Sequence, residues 1–380
     1  MDANESVNKS RAPSGAGWRL FNLFSKINTQ TTALVILVLL SLLPLYGIFE
    51  KTPAQYDLVA LYYGKTVIIR FLGYLGIANW FIDFYCKVFI HKKEAWKQTL
   101  LKRPWTGLLG VLLVWSLFAV LIAVNKDLAI FGSPYRYEGF LSYLAYAGIF
   151  LNAALIRGEK QRKTVFVTVA AVSSLLAGLT LLKELAGFSF LMYRNGMVGA
   201  YSATFINSNH YGYYLCVSLA VIAGLYMLCE KLWAKITCGA CFALNLIVLL
   251  YNSTLGAYLA LALGLVLFTV FHWIRKGFGK TWHVFILIAL FVVLSFVING
   301  HRVLNDLGLI TRQTGNVIDI IGSGGADTPE GQQAIDSIGS ARGKLWKNTV
   351  NVILANPVMG VGTDNIQLYI SNEIPHNEYL

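Results

Sequence analysis

The sequence predicts an all-α integral membrane protein: a multi-span helical bundle with one large extracytoplasmic loop. Three observations carry that reading. Of 380 residues, 56% are hydrophobic and only 13% charged, about half the charge of an ordinary soluble domain, and the mean hydropathy is +0.58. Apolar runs of roughly the ~20 residues needed to cross a bilayer recur along the chain. The basic residues between them alternate in density, crowding every second connection.

The spans follow in order. Residues 1–29 are polar and basic without periodicity and read as a cytoplasmic tail. The first apolar run, Thr31 to Phe49, lacks a small-residue cleavage site and reads as a retained span rather than a signal peptide. Further spans are expected at about 66–88, 107–124, 138–156, 164–182, 207–229, 233–251, 255–274 and 281–299, so residues 30–299 hold nine transmembrane helices. Lys and Arg crowd the tail and the stretches 87–103, 157–163, 231–235 and 275–280. The short connections on the other side hold only Lys51, Lys65, Lys126, Arg136, Lys183 and Arg194. By the positive-inside rule the amino terminus is cytoplasmic, the location is the cytoplasmic membrane, and everything after Asn299 lies outside. The net charge of +12 is thereby accounted for by topology, and no nucleic-acid partner is expected.

Two polar positions interrupt the second span. Asp83 and Lys87, four residues apart, suit a local ion pair. Arg70 could snorkel or meet a lipid phosphate. The pair Cys238 and Cys241 has CxxC spacing but lies in an apolar span, where small buried residues are the simpler reading. None of the five cysteines (Cys86, Cys216, Cys229, Cys238, Cys241) falls in an outer loop, so no disulfide framework is expected.

From Gly300 to Pro375 runs a segment far longer than an ordinary connection, the expected extracytoplasmic catalytic loop; residues 376–380 read as the start of a further span. Gly322 to Gly339 is rich in small polar residues and reads as a flexible linker. An amphipathic helix is then expected from Ser340. Leu345, Trp346, Thr349, Val352 and Ile353 share one face, Ser340 serves as the cap, and Asn356-Pro357 is the stop. Arg342 falls in that expected first turn, where free N–H groups, the helix dipole and a guanidinium would favour a phosphate. The turn with Gly360 and Gly362 comes next, and then His376-Asn377.

Histidine titrates near neutral pH and can take a proton from a hydroxyl, which suits His376 to glycosyl transfer. His91, His272 and His283 lie at cytoplasmic margins, and His210 and His301 at outer helix boundaries, as ordinary interfacial residues. Arg136, in Tyr135-Arg-Tyr-Glu138-Gly, and Arg194, in Tyr193-Arg-Asn-Gly, sit in outer loops. Guanidinium stays charged and forks onto phosphate oxygens, so several outer arginines suit a lipid-linked pyrophosphate. The simpler reading of Arg136 is a weak surface pairing with Glu138. No Walker or dinucleotide glycine pattern and no metal-spaced Asp/His cluster is present, so no cofactor and no metal is expected.

Taken together, Arg342-Gly-Lys-Leu-Trp346, Asn356-Pro-Val-Met-Gly360-Val-Gly362 and His376-Asn-Glu-Tyr-Leu380 resemble the O-antigen ligase and polymerase superfamily of bacterial membrane glycosyltransferases. Phe205-x-Asn207-x-Asn209 and Tyr135-Arg-Tyr-Glu-Gly139 look like that family too. The resemblance implies a GT-C-like bundle and a metal-independent enzyme. It would take glycan from an undecaprenyl-pyrophosphate donor at the outer face and pass it to a glycan, lipid or protein acceptor. It implies that His376, with Asn377, activates the acceptor hydroxyl. Arg342 would hold the pyrophosphate, with Arg136, Arg194, Asn209, Gly360 and Gly362 also on the substrate side. Family members often carry an arginine where this chain has Ser253-Thr254-Leu255, and closing spans beyond Leu380 are expected, so the chain reads as C-terminally truncated. Alternatives are a polysaccharide flippase or secondary transporter, which would place ionisable groups at the membrane midplane, and a structural subunit whose loop docks a partner.

The topology is testable by itself. Cysteine labels at Ser323 and Ser371 should react with an impermeant reagent in intact cells, and one at Gln98 should not; the reverse pattern would invert the assignment.

Overall fold

A computed structural model describes residues 16–48, 57–91, 104–134, 136–187, 201–205, 207–322 and 328–370. Helices dominate, and no strand occurs among the described residues. The protein is therefore an all-α multi-span membrane protein. In chain order the helices are α1 (Ala16–Phe24), α2 (Thr29–Leu42, extended by a 3-10 turn Leu43–Leu45), α3 (Asp57–His91), α4 (Pro104–Ile122), α5 (Lys126–Phe131) and α6 (Phe140–Ala153). They continue as α7 (Glu159–Ala186), α8 (Ser208–Leu228), α9 (Leu232–Asn252), α10 (Leu255–Lys276), α11 (Phe278–Gly322) and α12 (Pro329–Ala355).

Seven of these are long and apolar enough to cross a membrane, within α3, α4, α7, α8, α9, α10 and the first half of α11. The expected first and fourth spans are also apolar helices, but shorter ones, Thr29–Leu45 and Phe140–Ala153. The last span was expected to end at 299, and there α11 leaves helical geometry, at Asn299 (φ −130°, ψ 23°), before running on to Gly322.

Two packing units result. The larger is centred on α8, half of whose span is buried inside the protein, against 17–28% for the other spans. Tyr211, Leu215, Leu219 and Ile222 of α8 meet Leu176 of α7, Phe242 and Leu246 of α9, Leu261 of α10 and Leu287 of α11. Lipid is as apolar as leucine, so close packing and buried polar contacts must hold such helices together. The second unit, α2, α3 and α6, shows both. A Cβ added to Gly148 would lie 2.0 Å from the Gly73 carbonyl oxygen, and one on Gly73 would lie 2.4 Å from that of Ala145. The α3 and α6 backbones meet where only small residues fit. Asn79 then donates to Asn152 Oδ1 and to the Thr29 carbonyl, both at 2.9 Å. Asn152 in turn donates to the Ala33 carbonyl at 3.2 Å, a second tie to α2. Asp83 and Lys87 form the expected ion pair.

One sequence expectation is corrected. Residues 329–339 are not a linker, because α12 begins at Pro329. Proline at a first helical position has its φ preset and no N–H to leave unsatisfied, and Gln332 N–H closes the first turn on the Thr328 carbonyl at 2.9 Å. Ser340 therefore lies inside the helix rather than capping it, and Arg342 is more than three turns from the helix start. The free N–H groups proposed to assist Arg342 are not there. The expected stop holds, with the helix ending at Ala355 before Asn356-Pro357.

The α3–α6 contact gives a stability prediction. Gly148→Ala should lower stability in detergent by ~1–3 kcal/mol, since backbone on the other helix must retreat. Gly178→Ala on α7, whose added Cβ finds its nearest neighbour at 3.9 Å, should melt like the parent. Indistinguishable midpoints for both variants would mean that α3 and α6 are not in contact at these glycines.

Candidate functional site

Among the described residues, the Arg136 loop and the Gly360–Gly362 turn meet at one end of the bundle. Helix α4 ends at Ile122, and Asn125 caps α5, its Oδ1 accepting from Leu128 N–H at 3.1 Å. After α5 the chain turns through Gly132 (φ +81°). Gly132 and Gly139 then come together: a Cβ on Gly132 would lie 2.3 Å from Glu138 N, and one on Gly139 2.4 Å from Gly132 N. The loop between them is pinched shut, and Arg136 sits at its far side. Its N–H and that of Tyr137 both donate to the Ser133 carbonyl, at 3.0 and 2.8 Å. Glu138 Oε1 accepts from the Tyr146 hydroxyl at 2.9 Å.

Arg70 holds this loop from within α3. Its Nε donates to Ser142 Oγ at 3.1 Å, and one terminal nitrogen donates to the carbonyls of Phe131 at 2.8 Å and Tyr137 at 3.0 Å. The guanidinium thus directs its donors to protein oxygens. Burial, and next to it Tyr63, push the Tyr137 hydroxyl above its ordinary value while Arg70 pulls it down.

The chain beyond α12 docks onto the same corner. Gly360 (φ +65°) returns its N–H to the Asn356 carbonyl at 3.1 Å. Gly362 (φ +91°) lies against α4, where a Cβ would come within 2.6 Å of Ala123 Cβ and 3.1 Å of the Ala119 oxygen. Beyond it Thr363 Oγ1 donates to the Ala129 carbonyl at 2.5 Å, and Asp364 accepts the Ser133 N–H. Asn365, wholly buried, accepts from Asn125 N–H at 2.9 Å and donates to the Asn125 carbonyl at 3.0 Å. The expected glycine turn and the expected Arg136 loop are thus one unit. Packing and backbone conformation account for both glycines there.

Asn209 belongs to a neighbouring knot. Asn207 Oδ1 accepts its N–H at 2.8 Å, and its own Oδ1 lies 3.4 Å from Thr254 Oγ1. Asn252 donates to the carbonyls of Tyr201 (2.9 Å) and Ser208 (3.0 Å) and accepts from Thr254 at 2.5 Å. Ser253, in left-handed geometry (φ +62°), ends α9. Where the family resemblance suggested an arginine, Ser253-Thr254 therefore ties α8, α9 and α10 together. Lys65, at the same end of α3, donates to the Thr204 carbonyl at 2.8 Å, so the two knots share one rim.

Arg342 lies in the body of α12, before the docked turn. Arg194, His376 and Asn377 lie outside the described residues, His376 coming six positions after the buried Ile370. Sequence reading missed Arg70 as a clamp and missed Asn125 and Asn365 altogether. Asn125 did carry a signal, as a cap residue just before Lys126-Asp127.

Residues 240–380 match the family model of the O-antigen ligase (Wzy_C), consistent with the O-antigen ligase superfamily. The matched stretch runs from α9 through α12 and the docked turn to the end of the chain. It implies an O-antigen-ligase-like glycosyltransferase. No curated protein and no solved structure matches the chain.

Removing the Asn365 side chain would take the partner from the Asn125 N–H and one of two donors from the Asn125 carbonyl, which still accepts from Ala129 N–H, a cost of ~0.5–1.5 kcal/mol for each bond lost. Asn365→Ala should therefore expose the segment after α12 to limited proteolysis several-fold faster than in the parent, with the transmembrane core intact. Unchanged cleavage would show that other contacts hold the segment.

Proposed function

We propose that the protein transfers or polymerises glycan from an undecaprenyl-pyrophosphate-linked donor at the outer face of the cytoplasmic membrane. The single observation that carries this reading is the docking of residues 360–370 onto the 125–139 corner. It fastens the chain at Asn365, eleven residues ahead of His376, and beside the loop bearing Arg136, inside the segment that matches the ligase family. In this reading the acceptor hydroxyl oxygen attacks the anomeric carbon of the donor sugar. His376 takes the hydroxyl proton, with Asn377 orienting the ring or the acceptor. The bond from the anomeric carbon to the pyrophosphate oxygen breaks, and the lipid pyrophosphate leaves with its electron pair. Arg342, Arg136 and Arg194 supply positive charge for that leaving group, the role a metal plays in other transferases. Asn209, Gly360 and Gly362 act through the shape of the rim. The acceptor is a glycan, a lipid or a protein.

The test is transfer from a lipid-linked donor in membranes, with donor binding measured in parallel, in a version of the protein that contains this segment. A positioned base contributes ~10²–10⁴-fold, so His376→Ala should lose two orders of magnitude or more in transfer while inserting and binding donor like the parent. Asn377→Ala should lose less, and His301→Ala should change little. Arg342→Lys should keep part of the donor affinity and Arg342→Ala little of it, the loss being ~2–5 kcal/mol for a bidentate phosphate contact. Parental transfer by His376→Ala would remove the base assignment. Translocation of lipid-linked glycan without any transfer would favour the flippase instead.

A further inference from the structure

Helix α12 has three faces rather than two, and one of them is unexplained by the protein. Leu345 and Thr349 are buried, and α12 packs against α11. Lys344, Lys347 and Asn351 form an exposed polar side. Between them runs an apolar stripe at i, i+4, i+7 and i+8: Trp346, Val350, Ile353 and Leu354, exposed by 43, 50, 55 and 71%. Val358, 65% exposed, continues it into the turn. The expected single apolar face is thereby split, with Leu345 and Thr349 going to the protein and Trp346 and Ile353 facing away from it.

The docked turn sets the level of this stripe. Within a few residues of Val358 the chain is fastened to the end of the α4 span, with Gly362 on Ala119 and Ala123, and Asn365 on Asn125. The same end of α4 exposes Leu121, Ile122 and Val124. An apolar stripe that joins the end of a membrane-crossing helix lies at the border of hydrocarbon and water. A tryptophan on the stripe and lysines beside it are the composition that border selects.

We infer that the carboxy-terminal half of α12 lies on the lipid surface, with the Trp346–Val350–Ile353–Leu354 face inserted among the lipids and the Lys347 and Asn351 side in water. The partner is the bilayer itself, and no second protein is needed to cover the stripe. Helices of this kind bury their apolar side ~5–10 Å into the boundary between headgroups and acyl chains. The inference does not rest on the transferase reading, since it makes no use of His376 or of turnover.

The experiment uses the 380-residue chain in nanodiscs whose lipids carry bromine near the top of the acyl chains. Subtracting the fluorescence of Trp346→Phe from that of the parent isolates the Trp346 emission. That emission should be blue-shifted, should lose about half its intensity or more to brominated lipid, and should resist iodide in the water. In the Trp346→Phe background, Val350→Trp should behave like Trp346, and Lys347→Trp should show the opposite pattern, quenched by iodide and spared by bromine. Two positions on the stripe keep a local fault in one variant from deciding the result. Iodide quenching of Trp346 and Val350→Trp without bromine quenching overturns the inference. So does protection from both quenchers, which would mean that protein covers the stripe, and so does equal quenching at 346 and 347.

Discussion

The rim of this bundle depends on a cation placed where cations are costly. Arg70 sits in an apolar span, and a guanidinium there must find oxygen atoms or destabilise the helix that bears it. It finds them in Phe131, Tyr137 and Ser142, which belong to the short helix α5, the pinched loop and the first turn of α6. The two sides constrain each other. The loop carbonyls satisfy the charge, and the charge holds the loop in a shape that a six-residue helix and two glycines could not keep alone. Everything docked on that corner, including the turn after α12, inherits its position from this exchange.

Polar side chains do the same work elsewhere at lower charge. Asn79 and Asn152 join three helices on one side, and Asn252 and Thr254 join three on the other. Each such amide has both donors and an acceptor, so one residue can close two or three contacts inside a medium that offers no competing water. Close glycine contacts between α3 and α6 then let dispersion act over short distances. The bundle is held by a few directional contacts at its ends, while its interior packs around α8.

The parts of this design that run along the chain were legible in the sequence. Each expected apolar segment contains a helix, seven of them long enough to cross a membrane among the described residues, α11 leaves helical geometry at Asn299 where the apolar run stops, and Asp83 pairs with Lys87 one turn away. The parts that depend on distant partners were not. Nothing local to Arg70 reveals acceptors 61 to 72 residues further on, and the Asn125–Asn365 pairing joins positions 240 apart. The start of α12 was missed for a different reason. Glycine and serine content argued for a linker, whereas the Thr328-Pro329 start signal and the hairpin with α11 outweighed propensity. Helical spacing in α12 placed Leu345, Trp346, Thr349, Val352 and Ile353 together but passed over Val350 and Leu354, and could not say that two different environments would share the face.

The break at Asn299 also has a mechanical side. Its side chain donates to the Leu250 carbonyl at 2.5 Å, so the point of flexure is pinned to α9 just before the knot at Asn252. Beyond it α11 continues as one helix to Gly322, a rod of ~33 Å at 1.5 Å per residue. Such a rod is a lever arm: a change of ~5° at the fulcrum carries its tip through ~3 Å, while the pinned end hardly moves. Its other anchor is the docked turn past α12, so the α11–α12 hairpin is a strut fixed at both feet. Small adjustments at Asn299 would emerge as travel at the crest, with the corner beneath kept still.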